Sequence, residues 1–95
     1  MSAYILVDVK VTDAVRYEGY KRVAEQAVSR HGGRYLVRGG ETVTLEGDWR
    51  PNRIVVLEFP SLEHIKQFYR SAEYVAAAEL RRGCAEMRMI GVSGV

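Results

Sequence analysis

The chain has 95 residues, 47% of them hydrophobic and 27% charged, a make-up that excludes a disordered polypeptide. Fourteen Lys and Arg against 12 Asp and Glu leave a formal charge of +2, too small to require a nucleic-acid or acidic partner. The lone cysteine, Cys84, rules out an internal disulfide and any multi-cysteine metal site, and no apolar run approaches the roughly 20 residues of a transmembrane helix.

Acidic Asp8 and the lack of a basic start argue against a signal peptide over Met1 to Lys10, so a reduced, cytoplasmic setting is expected. The length suits one domain, residues 1–95, whose core is thin enough to leave a lone copy marginally stable.

Tyr4 to Val11 is rich in β-branched and aromatic residues and reads as a strand. Thr12-Asp13 offers a side-chain oxygen to cap the free first-turn N–H groups of a helix. Tyr20, Val23, Ala24, Ala27, Val28 and His31 then fall at helical spacing, and Gly32-Gly33 stops that helix. Arg34 to Arg38 reads as a short strand, and Gly39-Gly40 as a tight hairpin leading back through Glu41 to Glu46. Gly47 to Asn52 is dense in turn formers and reads as a surface loop. Arg53 to Phe59 is the strongest strand. Pro60-Ser61 caps a helix carrying Leu62, Ile65, Phe68 and Tyr69. Ser71 restarts the cap for Ala72 to Arg82, Gly83 ends it, and Glu86 to Val92 is a last strand.

The order is β-α-β-(β)-β-α-β, an α+β chain of the ferredoxin-like kind, with an antiparallel sheet and both helices on one face. Strand side chains alternate between faces. Ile5, Val7, Val9 and Val11, with Val55, Leu57 and Phe59, form the natural helix-facing sets. The other face receives Tyr4, Leu6, Asp8 and Lys10, Ile54, Val56 and Glu58, with Met87 and Met89 as its candidates from the last strand. That face is too apolar for water, since burying each such aliphatic chain stabilises by about 1.5–3 kcal/mol. A homodimer packed through it, with a partly polar cavity at or beside the sheet, is the expected assembly.

Gly32 to Gly40 (GGRYLVRGG), Leu45 to Trp49 (LEGDW), Arg53 to Ser61 (RIVVLEFPS) and Phe68 to Tyr74 (FYRSAEY) together resemble a bacterial family, domain of unknown function 1330, of the dimeric α+β barrel superfamily. The resemblance runs from Tyr4 to Gly94 and departs at Ala72, where many relatives carry proline. It implies a dimeric ferredoxin-like barrel and no established activity.

Glu58 interrupts an apolar run, and Asp8 lies on the same predicted face. Two carboxylates in a low-dielectric cleft can take separate acid and base roles, which makes these the best catalytic candidates. The plainer reading is a salt bridge from Glu58 to Arg34, Arg53 or Arg88, because a buried charge is rarely unpaired. Arg34 and Arg38, four apart and projecting from one side, suit a ligand carboxylate or phosphate, although charges on an edge strand also deter aggregation. Trp49 sits on an acid-aromatic-base loop as a cavity lid, an interface anchor or a plug for its own loop. Tyr17, Tyr20, Tyr35, Tyr69 and Tyr74 are numerous for the length; Tyr20, Tyr69 and Tyr74 are the candidates for lining a cavity. His31 and His64 match no metal spacing, Cys84 reads as a small buried hydrophobe, and neither glycine pair makes a phosphate loop.

No metal or cofactor is therefore expected. The favoured function is a dimer binding a small organic molecule beside the sheet, with cofactor-independent catalysis as one form of it. A non-catalytic dimer binding a metabolite or protein is the alternative. RNA recognition, which shares this element order, is disfavoured because the aliphatic Ile54 to Leu57 run cannot stack bases.

Overall fold

The computed structural model describes residues 1–95. β1 (Ala3–Val11) leads to α1 (Ala14–Arg30), then β2 (Arg34–Arg38) and β3 (Ile54–Phe59). α2 (Leu62–Arg70), α3 (Ala72–Arg81) and β4 (Ala85–Ser93) complete the chain. The four strands form one antiparallel sheet in the order β2-β3-β1-β4, the ferredoxin-like arrangement expected from the element order.

The caps form where short polar side chains precede the helices. Asp13, Ser61 and Ser71 each accept a hydrogen bond from the backbone N–H three residues on. Ser71 also donates to Phe68 O at 2.7 Å, so one side chain ends α2 and starts α3. Gly32, at φ +78°, takes the left-handed conformation that closes α1.

One core joins the helices to the inner face of the sheet. Ala3, Ile5, Val7 and Val9 from β1 and Val55, Leu57 and Phe59 from β3 are all buried there, as their alternation requires. Phe59 and Phe68, each 1% exposed, pack with ring centroids 4.9 Å apart.

Three local expectations are corrected. Met87 and Met89 pair across from Val9 and Val7, so they pack on the core, and β4 instead gives Arg88, Ile90 and Val92 to the outer face. The Gly39-Gly40 hairpin does not form: Glu41 to Glu46 makes no strand, and residues 39–53 run as a loop from β2 to β3. Glu41 to Glu46 alternates as a strand should, but it has no partner strand within the protomer. The third correction is in β2, where the register with β3 slips between Tyr35 and Val37, a bulge. The extra residue reverses the alternation beyond it. Arg34 therefore lies opposite Glu58 on the outer face, whereas Arg38 lies opposite Val55 on the inner face, and the two do not share a side.

Candidate functional site

Between the sheet and α1 and α3 lies a cavity of about 40 Å³, lined mainly by apolar side chains. At roughly 10–15 Å³ per water, it has room for about three waters or a group of similar size. Its polar character comes from four tyrosines, Tyr17, Tyr20, Tyr35 and Tyr74, and three cations, Lys21, Arg38 and Arg53. No carboxylate and no histidine lines it.

The helices position the phenols. Tyr17 and Tyr20 lie three apart on α1, so they share a face and stack with centroids 5.3 Å apart. The Ser71 cap starts α3 so that Tyr74 enters the core against Phe68, at 4.8 Å. The Tyr20 and Tyr74 hydroxyls then meet at 2.9 Å. Burial pushes the Tyr20 phenol far up from its ordinary value, and the Tyr74 hydroxyl adds to the shift. Burial also raises Tyr17 and Tyr35, held partly back by Arg53 and Arg38 respectively. All three stay protonated at neutral pH and act as neutral hydrogen-bonding groups.

Two of the cations are paired. Lys21 Nζ lies 2.9 Å from Glu18, and Arg38 reaches Glu25 at 3.3 Å while its guanidinium sits 4.3 Å from the Tyr35 ring centre. Arg53 has no carboxylate partner, and its buried Nε has no hydrogen-bond partner. Its guanidinium lies over Gly39, where any Cβ would collide with it. Gly39 also has φ +77°, a second reason for glycine there.

The outer face is different. Val37, Val56, Leu6 and Ile90 form a continuous aliphatic row across all four strands. Leu6 is 40% and Ile90 62% exposed. Asp8 accepts hydrogen bonds from Asn52 N at 2.9 Å and from the Trp49 indole at 3.3 Å, which ties the loop to the sheet. Partial burial pushes the Asp8 carboxyl up, but these donors outweigh it and hold the group below its usual value. Trp49 and Asp8 flank an open groove of about 430 Å³ with Leu6, Ile54, Arg88 and Ile90. At the other end Glu58 pairs with Arg34 at 2.7 Å, and hydrogen bonding from Ser2, then Arg34, lowers its pKa. Arg34 is thus the partner among the three arginines considered for Glu58.

Of the residues singled out from sequence, the cavity gathers Tyr20, Arg38 and Tyr74. Glu58, Arg34, Asp8 and Trp49 lie on the opposite face, and Tyr69 borders a separate groove between α2 and β4. Asp8 and Glu58 do not meet: Asp8 pairs with Ile54, four residues from Glu58, or about 13 Å at ~3.3 Å per residue. Tyr17, Tyr35 and Arg53 also line the cavity, where the sequence does not single them out, although Tyr17 shares a helical face with Tyr20. Arg53 is read from the sequence only as a strand start and as a candidate partner for Glu58, neither of which points to the cavity. His31 bonds Glu73 at 3.1 Å, His64 meets the Ser61 cap at 2.7 Å, and Cys84 is buried with Sγ on Leu80 O. No grouping of His, Cys, Asp and Glu is placed to hold a metal.

The profile of a family described as Domain of unknown function (DUF1330) matches residues 2–95. No curated protein matches the chain. Among solved structures, a protein of unknown function from Rhodopseudomonas palustris is similar at 20% identity and TM-score 0.79, over 99% of this chain and 82% of the other. A dimeric protein of unknown function and ferredoxin-like fold from Bacteroides fragilis NCTC 9343 is similar at 16% identity and TM-score 0.61, over 98% and 96%. SnoaB, a cofactor-independent oxygenase from Streptomyces nogalater, is similar at 10% identity and TM-score 0.67, over 99% and 93%. At these identities the likeness carries the fold alone.

Proposed function

The chain belongs to the DUF1330 family, and from that premise we propose that it acts as a homodimer binding a small organic molecule in the cavity between helices and sheet. The observation that carries this reading is the contrast between cavity and outer face. The cavity holds buried phenols and a guanidinium with hydrogen-bonding capacity to spare. On the outer face Asp8 and Glu58 are engaged locally, and the aliphatic row between them is an apolar surface suited to a second copy. The dimeric Bacteroides fragilis protein supports such an assembly by analogy.

The catalytic roles expected for Asp8 and Glu58 find little support in this geometry. Each is held ionised by local donors, they lie far apart, and neither faces the cavity. Proton abstraction needs a base with a pKa near the working pH, and the cavity's phenols are raised. Any catalysis there acts through binding and through hydrogen bonds to developing negative charge. Cofactor-independent oxygenation, the activity named for SnoaB, is compatible with that restriction where the bound molecule ionises without a protein base. A non-catalytic binder uses the same cavity equally well and is the second reading. The lone buried Cys84 accords with a reduced cytoplasmic setting, and no helix is long and apolar enough to cross a membrane.

Native mass spectrometry of freshly purified protein tests the proposal. A dimer carrying a bound small molecule is expected, with the adduct lost in Ala24→Leu, which fills the cavity without removing a polar group. A monomer without adduct, together with no thermal stabilisation by a panel of small organic molecules, would rule it out. Turnover of any bound molecule then separates enzyme from binder.

A further inference from the structure

Two cations without a carboxylate partner, Arg53 on the cavity wall and Arg81 beyond it, border the tyrosine cluster. Arg53 lies beside Tyr17 at one end of the tyrosine cluster, and Arg81 lies beside Tyr74 at the other. Both arginines have a buried Nε with no hydrogen-bond partner, and no carboxylate comes within ion-pair distance of either. The intervening groups are neutral phenols, so the interior carries positive charge that nothing in the protomer balances. A part-buried guanidinium in this position is costly to leave unpaired.

The geometry points to an anion: we infer that the cavity takes the carboxylate head of a small organic acid, anchored by Arg53 and flanked by the Tyr17 hydroxyl. This rests on the reading of the cavity as the ligand site and adds the chemical class of the ligand. Arg53 is the anchor by elimination, since Lys21 is held by Glu18 and Arg38 by Glu25 and the Tyr35 ring. A guanidinium edge matches the two oxygens of a carboxylate, forming two parallel charge-assisted hydrogen bonds. The volume of about 40 Å³ admits a carboxylate with a short carbon stem and is too small for a bulky acid. The apolar part of the lining, with Val55, Leu57 and Met87, suits a stem of carbon.

The test is an NMR titration of the full chain with acetate, acetamide and methylammonium, three probes of similar size and different charge. Acetate is expected to bind at least about tenfold more tightly than acetamide, and methylammonium not at all. Arg53→Gln should cost acetate about tenfold or more and leave acetamide unchanged, whereas Arg34→Gln, on the outer face, should change neither. If Arg53→Gln does not fold, Arg53→Lys replaces it: it keeps the charge without the fork, and an unchanged acetate affinity would overturn the assignment. Equal binding of acetate and acetamide to the native chain would overturn the anion and leave the cavity as the ligand site. Failure of acetate to bind would likewise overturn the anion, while the cavity as ligand site falls only with the native mass spectrometry and thermal panel above.

Discussion

The two faces of the sheet are built from the same strands, yet they distribute polar groups in opposite ways. On the outer face the carboxylates of Asp8 and Glu58 are each met by donors from a neighbouring strand or loop, and between them runs an aliphatic row. On the inner face the polar groups are phenols and guanidiniums, and the buried Nε of Arg53 remains without an acceptor. A group already satisfied by the fold has little left to offer a ligand, whereas an unsatisfied buried donor gains from one. Carboxylates on a strand are therefore a weaker sign of chemistry than an interior arginine without a partner.

The largest expected effect sharpens the contrast by removing bulk from each face. Phe68→Ala should destabilise the fold by about 3–5 kcal/mol, because the ring is central to the inner core and its removal leaves a cavity. Leu6→Ala, on the half-exposed outer row, should cost the protomer about 1 kcal/mol or less by denaturant unfolding of dilute protein. Next in size, Leu6→Asp should weaken self-association at least about 100-fold, roughly 3 kcal/mol, by placing an unpaired charge in the interface. Sedimentation equilibrium reads that loss, and unchanged association would break the assignment of the outer face.

Smaller again, Tyr20→Phe should cost about 1 kcal/mol, since the Tyr74 hydroxyl loses its 2.9 Å partner in a buried setting. The pH limits of stability separate the faces without any substitution. Tyr17, Tyr20 and Tyr35 hold their protons more tightly folded than unfolded, so their contribution is complete below 10.0 and is lost as pH rises beyond it. Absorbance of the native protein should show the ionisation of these three tyrosines delayed until alkaline unfolding. Asp8 and Glu58 are shifted the other way. Their contribution is present above the unfolded values of 3.8 and 4.5 and is lost as pH falls through the lower folded ones. The smallest effect belongs to Glu58→Gln, an exposed ion pair whose loss should barely move Tm and should flatten only the acid limb.

The alternation of β1 and β3, the caps at Asp13, Ser61 and Ser71, and the stop at Gly32 are local signals, and they sufficed for the element order and for most of the core. The cavity was less legible for reasons of register. A bulge adds one residue without requiring glycine or proline, so nothing in Arg34-Tyr35-Leu36-Val37-Arg38 marked the reversal that sends Arg38 inward. In β4, Ile90 and Val92 share a face with Glu86 and Arg88, and that mixture hid which set met the core. Arg53 acquires its role from Gly39 and Tyr17, residues brought to it by strand pairing and helix packing.

Val55 and Val56 are chain neighbours on opposite faces, and their methyl NMR signals test the division of labour most directly. Acetate should shift Val55 and leave Val56 in place, while dilution across the dimer dissociation range should move Val56 and spare Val55. Acetate acting on Val56 alone, or dilution acting on Val55 alone, would contradict the account.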